Sequence, residues 1–111
     1  MVNSRSTELD AVFHALSNPT RRAILRDIAS KHKTVGEIAR PYRISLAAVS
    51  KHLVVLEVAK LVSREKRGSS HVIHLNAAAM KKAVHWFRFY EQFWSDKLNS
   101  LQVLLEGEED E

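Results

Sequence analysis

The chain has 111 residues and a formal charge of +4, from 17 Lys and Arg against 13 Asp and Glu, so it fits one small domain. Apolar residues make up 45% and charged residues 27%, and no run approaches the roughly 18 apolar residues of a spanning helix; wholesale disorder, collagen and a membrane span are excluded. The absence of cysteine removes disulfide scaffolds, thiolate metal sites and cysteine nucleophiles. With the polar stretch Met1 to Asp10 lacking a signal-peptide core, it predicts a cytoplasmic protein.

Punctuation is sparse, with proline only at 19 and 41 and glycine only at 36, 68 and 107, which predicts a mostly helical fold. Leu9, Val12, Phe13 and Leu16 recur at helical spacing and predict a first helix over Thr7–Leu16. Asn18 is placed to cap a second helix that has Pro19 at its first position and runs to about Ser30, burying Ile24, Leu25 and Ile28. Thr34 opens a short third helix carrying Val35, Ile38 and Ala39, and Glu37 completes a capping box. Ser45 caps a fourth helix over Leu46–Val58, with Val49, Leu53 and Leu56 on one face. Leu61–Lys66 and Ser70–Leu75 flank Arg67-Gly68-Ser69 and read as a hairpin. Asn76 caps a long last helix over 77–105, and the acidic residues 106–111 read as a disordered tail to a single domain over 1–105.

Charge is unevenly spread. Five of the last six residues are acidic, and the rest of the chain carries 17 basic against 8 acidic side chains. Arg21–His74 alone holds 12 basic and 4 acidic residues, a stretch suited to a polyanion or, more plainly, to a solvated face.

A short helix, a tight turn, a second helix and then a basic hairpin is the order of a winged helix-turn-helix, in which the second helix of the pair enters the DNA major groove. At 100° per residue, Ala47, Lys51 and Val54 fall opposite the buried stripe of the fourth helix, with Ala48 and Ser50 at its flanks. That face is slim enough for a groove about 12 Å wide. Ala47 and Ala48 can touch a thymine methyl, Ser50 can donate or accept, and Lys51 reaches guanine or phosphate. Ser45 leaves backbone N–H groups at the helix start, where a phosphate is favoured. The hairpin adds Arg64, Lys66 and Arg67, then Ser69, Ser70 and His71, for phosphate or minor-groove contact. Arg21 and Arg22, at the start of the second helix, suit packing or a phosphate clamp equally, and Arg22 joins the candidate DNA set. His52 sits at the border of the buried side and reads as a packing residue.

The segments FHALSNPTRRAILRDIA (Phe13–Ala29), TVGEIA (Thr34–Ala39), ISLAAVSKHLVVLEVAKLV (Ile44–Val62) and REKRGSSHVIHL (Arg64–Leu75) resemble ArsR-type winged helix-turn-helix transcriptional regulators. The likeness covers Leu9–Leu75 and continues more loosely to the end. It implies a homodimer that binds palindromic operator DNA, with 46–58 as the reading helix and 61–75 as the wing. Arsenic and cadmium sensors of that family carry Cys-x-Cys where this chain has Thr34 and Gly36. Its zinc sensors carry an Asp-x-His and a second His/Glu cluster in the last helix, where this chain has only His85, so the resemblance is to a subgroup without these metal sites. Family members usually place glycine in the turn after the reading helix, where this chain has Ala59-Lys60.

Of the six histidines, 14, 32, 52, 71, 74 and 85, no pair on a predicted helix has chelate spacing. His71 and His74 are three apart but on a strand, where they point to opposite faces, and Asp10 with His14, the only helical candidate, would need ligands from elsewhere. No metal or cofactor is expected. Ser50, Lys51 and His52 are consecutive on a helix and point apart, so they form no catalytic relay, and no enzyme is expected. Six of the eight aromatic residues lie between positions 86 and 94. Trp86, Phe89, Tyr90, Phe93 and Trp94, then Leu98, Leu101 and Leu105, make an apolar band too wide for one contact. One side suits the first helix, through Leu9 and Phe13, and the other suits a second copy of the chain, so these residues form the candidate dimer interface. The expected function is a homodimeric repressor on double-stranded DNA, with no small-molecule effector assigned. The rival readings are a protein–protein module on the same scaffold and a metal-responsive sensor with an unrecognised site.

Overall fold

A computed structural model describes residues 4–109, and the side-chain surroundings of residues 7–107. Its elements are α1 (Ser4–Leu16), α2 (Pro19–Ala29), β1 (Lys33–Thr34), α3 (Val35–Ala39), α4 (Leu46–Val58), β2 (Val62–Arg67), β3 (Ser70–Leu75) and α5 (Ala77–Glu109). Contacts divide the chain into two compact units, Met1–Met80 and Lys81–Glu111. No helix among the described residues is long and apolar enough to cross a membrane.

The helix starts are set by local chemistry. Asn18 Oδ1 accepts from the backbone N–H groups of Thr20 (2.8 Å) and Arg21 (3.1 Å), two of the donors a helix start leaves open. Thr34 and Glu37 form the reciprocal capping box: the Glu37 N–H donates to Thr34 Oγ1 and the Thr34 N–H to Glu37 Oε1, both at 3.1 Å. Ser45 Oγ accepts from the Ala48 N–H at 3.1 Å, and Asn76 Oδ1 accepts from the Ala79 N–H at 3.3 Å.

The first unit closes around one apolar core. Ile24, Ile38, Val49, Leu53, Leu56, Leu61 and Ile73 are fully buried, drawn from α2, α3, α4, the turn after α4 and the sheet. α2 packs on α1, α4 and β3, and α3 packs on α4 and β3. Of the expected apolar face of α1, Val12 is buried and Leu9 and Leu16 are half-buried, whereas Phe13 is exposed.

Three details differ from the sequence reading. The wing hairpin β2–β3 is not alone but part of a three-stranded antiparallel sheet of order β1-β3-β2. β1 pairs Lys33 with Ile73 and Thr34 with Val72, which makes β3 the central strand. A two-residue strand has no periodicity to detect, and its pairing is set by a distant partner. The hairpin closes at the Arg67–Ser70 pair, so the loop is Gly68-Ser69 alone. Gly68, at φ +61°, supplies the left-handed first position that primed two-residue loops require. Finally, α5 runs to Glu109, so residues 106–109 of the expected disordered tail are helical, while 110–111 lie outside the described residues. Glutamate is a good helix former, and Gln102 Nε2 donates to Glu106 Oε1 at 3.0 Å across one turn.

Candidate nucleic-acid interface

α4 sorts its residues as its periodicity requires. Val49, Leu53 and Leu56 are fully buried, while Leu46, Ala47, Lys51 and Val54 are exposed and Ala48 and Ser50 are half-buried. The outward strip therefore carries the small residues Ala47, Ala48 and Ser50 and one cation, Lys51, together with the apolar side chains of Leu46 and Val54. Ser45 is exposed, with its hydroxyl committed to the cap.

The wing is less uniformly cationic than its composition suggests. Arg64 is half-buried and donates from Nε (3.1 Å) and Nη2 (2.6 Å) to a single oxygen of Glu57, on the last turn of α4. Arg67 pairs with Glu65, two residues back on the same side of β2. That hydrogen bond is the main cause holding the Glu65 carboxyl below its ordinary range, helped by the charges of Arg67, His74 and His32 and opposed by desolvation. Lys66 is exposed and has no ion-pair partner among the described residues. Ser69, Ser70 and His71 are exposed around the tip. Sequence reasoning counted the three cations and passed over both acids. The Glu65–Arg67 pair was legible from strand alternation, but the Glu57–Arg64 pair depends on how the chain turns after α4.

A cleft of about 370 Å³ lies between the start of α3, the first half of α4 and the wing. It is lined by Thr34, Val35 and Gly36, by Leu46 and Ser50, and by Arg64, Ser69, Ser70 and His71. The fold thus brings Ser50, Arg64, Ser69 and Ser70 of the candidate set to one concavity. It adds the α3 start and Leu46, which were not in that set.

The two arginines at the head of α2 differ. Arg21 is buried, and donates from Nε to the Ala15 carbonyl and from Nη2 to the His14 carbonyl, both at 2.8 Å. It thereby satisfies acceptors that the end of α1 leaves open, a packing role rather than a phosphate clamp. Arg21 Nη1 also meets His52 Nδ1 at 3.3 Å; because a guanidinium only donates, that ring nitrogen accepts and the proton sits on Nε2. Burial, then the Arg21 charge, push the His52 pKa below its ordinary value. Arg22 is exposed and spends Nη1 on the Leu16 carbonyl at 2.7 Å.

On α5, Trp86 is half-buried, and Phe89, Tyr90, Phe93, Trp94, Leu98, Leu101 and Leu105 are all exposed, Phe89 at 64%. Phe89 packs edge-on against Tyr90, and Phe93 against Trp94, with ring centroids 5.6 and 5.4 Å apart. Among the described residues no group of three or more His, Cys, Asp or Glu is placed to hold a metal ion.

Known proteins fit this arrangement. A family described as a helix-turn-helix domain matches residues 16–65. The transcriptional repressor SdpR of Bacillus subtilis is 33% identical over 78 residues, spanning 70% of this chain and 87% of that one. The HTH-type transcriptional regulator Rv2034 of Mycobacterium tuberculosis is 34% identical over 105 residues, 92% of each chain. Among solved structures, the ArsR family transcriptional regulator RHA00566 superposes with a TM-score of 0.74 at 26% identity, covering 86% of this chain and 97% of that one. The chain belongs to the ArsR-type winged helix-turn-helix transcriptional regulators. As a member of the ArsR type it is a DNA-binding regulator rather than an enzyme, with α3 and α4 as the helix-turn-helix and β2–β3 as the wing.

Proposed function

We propose that this ArsR-type regulator is a cytoplasmic repressor that binds a palindromic operator as a homodimer. α4 reads the major groove, and the wing follows the adjacent backbone. The observation that carries the reading is the outward strip of α4, where Ala47, Ala48, Ser50 and the single charge of Lys51 lie with Leu46 and Val54, beside a cleft that the wing lines with Arg64 and hydroxyl groups. Ala47 and Ala48 meet thymine methyls and Lys51 meets guanine, while Ser45, Ser50, Arg22, Lys66, Arg67, Ser69 and Ser70 contact the strands.

Support for two copies comes from α5, whose aromatic and leucine side chains from Phe89 to Leu105 lie open. A stable interface takes about 800 Å² per partner, and each buried aromatic ring supplies about 150–250 Å². Two-fold pairing would set the reading helices about 34–36 Å apart, one turn of duplex. SdpR is named a repressor, and that assignment is carried over here.

The test is a mobility-shift titration on a duplex selected from a random pool, over a salt series, with sedimentation of the free protein. A dimer whose affinity falls steeply with salt is expected. A monomer that retains no duplex at low salt would overturn the reading and favour a protein-docking module.

A further inference from the structure

We propose that Glu57 is a specificity-determining residue that acts by positioning Arg64, so that the guanidinium meets a DNA phosphate in one register only. The inference rests on the DNA-reading role of α4 and the wing.

An acid at this place needs a reason. Glu57 lies in the last turn of α4, where the negative end of the helix dipole disfavours a carboxylate. It also lies on the helix proposed to meet a polyanion. The pair adds little stability on its own, because both side chains are about a quarter to a third exposed (26% and 32%) and partly screened. What the contact does control is direction. Nε and Nη2 both end on Glu57 Oε1, at 3.1 and 2.6 Å, which fixes one edge of the guanidinium plane. Arg64 has no other partner among the described residues, so Nη1 and the second Nη2 hydrogen remain to serve the cleft it shares with Ser50, Ser69 and Ser70.

A held arginine and a loose one recognise phosphate differently. A loose side chain reaches whichever phosphate passes and rewards every register alike. A held one rewards only the register that brings a phosphate to its open edge, and phosphate contacts of this kind fix the alignment of a reading helix on the bases. The carboxylate also repels phosphates that arrive elsewhere, which works against wrong alignments.

Glu57→Gln tests this, with affinities measured at one salt concentration for a duplex selected by the wild-type protein and for a shuffled duplex of equal composition. The shuffled duplex should bind about threefold tighter, the selected one should be unchanged, and the ratio of the two should fall about threefold. In an Arg64→Ala background the same Glu57→Gln change should leave the ratio within about twofold. If Glu57→Gln tightens both duplexes equally, only bulk charge was removed and the proposal is overturned; an unchanged ratio with a lowered melting temperature overturns it too. A wild-type protein that binds neither duplex removes the DNA-reading role itself, an outcome visible before any variant is compared.

Discussion

Lys60 occupies the left-handed region at φ +63°, in the turn that follows α4. A non-glycine residue there costs about 1–2 kcal/mol, partly offset by the smaller chain entropy lost on folding compared with glycine. Lys60→Gly should therefore raise stability by about 0.5–1 kcal/mol in urea unfolding. His52 supplies a second residue-scale expectation. Its folded pKa lies below the unfolded value of about 6.5, so the unfolded chain binds the proton more readily. The contribution is complete above that pH and is lost as the pH falls through the lowered folded value. Melting temperatures of wild type and His52→Gln, followed from pH 7.5 to 5, should diverge, with the wild type falling faster. The sequence placed His52 correctly at the border of the core, but its partner, Arg21, lies 31 residues away in the chain and was out of reach of local reasoning.

The elements themselves were largely legible, because their ends are written in local capping chemistry. Asn18, Thr34 and Ser45 cap the helices they were expected to cap, and Val49, Leu53 and Leu56 are the buried stripe of α4. Strand β1 was not legible, since two residues carry no period and Thr34 already had a role as a cap. Thr34→Ala removes the hydroxyl that receives the Glu37 N–H, and should lower stability by about 1 kcal/mol. In the wing, composition alone made three cations equivalent, and the acids beside two of them break that equivalence. Lys66→Ala should weaken every duplex and flatten the slope of log affinity against log salt by about one unit. Arg67→Ala, which also releases Glu65, should weaken binding too, with a smaller gain at low salt to lose because part of its charge is already answered.

At the scale of the whole molecule, the basic stretch and the acidic end separate along the chain, and the aromatic band of α5 was visible as a cluster before any fold was known. What the chain alone could not give was its exposure. Leu98, Leu101 and Leu105 stand open in one copy, and in the proposed dimer they would be covered. Leu101→Glu should then shift sedimentation toward monomer and weaken operator binding at least tenfold, since a single half-site loses the contacts of its twin. The melting temperature of the wild type should rise with protein concentration, and that of Leu101→Glu should not.

Thr34 belongs to two structures at once: it pairs with Val72 in the central strand of the wing and caps the first helix of the helix-turn-helix. Its backbone N–H meets Glu37 while its neighbour Lys33 is matched to Ile73. In the proposed complex, a displacement of the wing by a bent or slipping duplex would pull on the root of α3, which packs on α4. On the proposed reading the wing would then act as a lever on α4, and Thr34→Ala, which loosens that joint, should narrow the gap in affinity between well-matched and poorly matched duplexes.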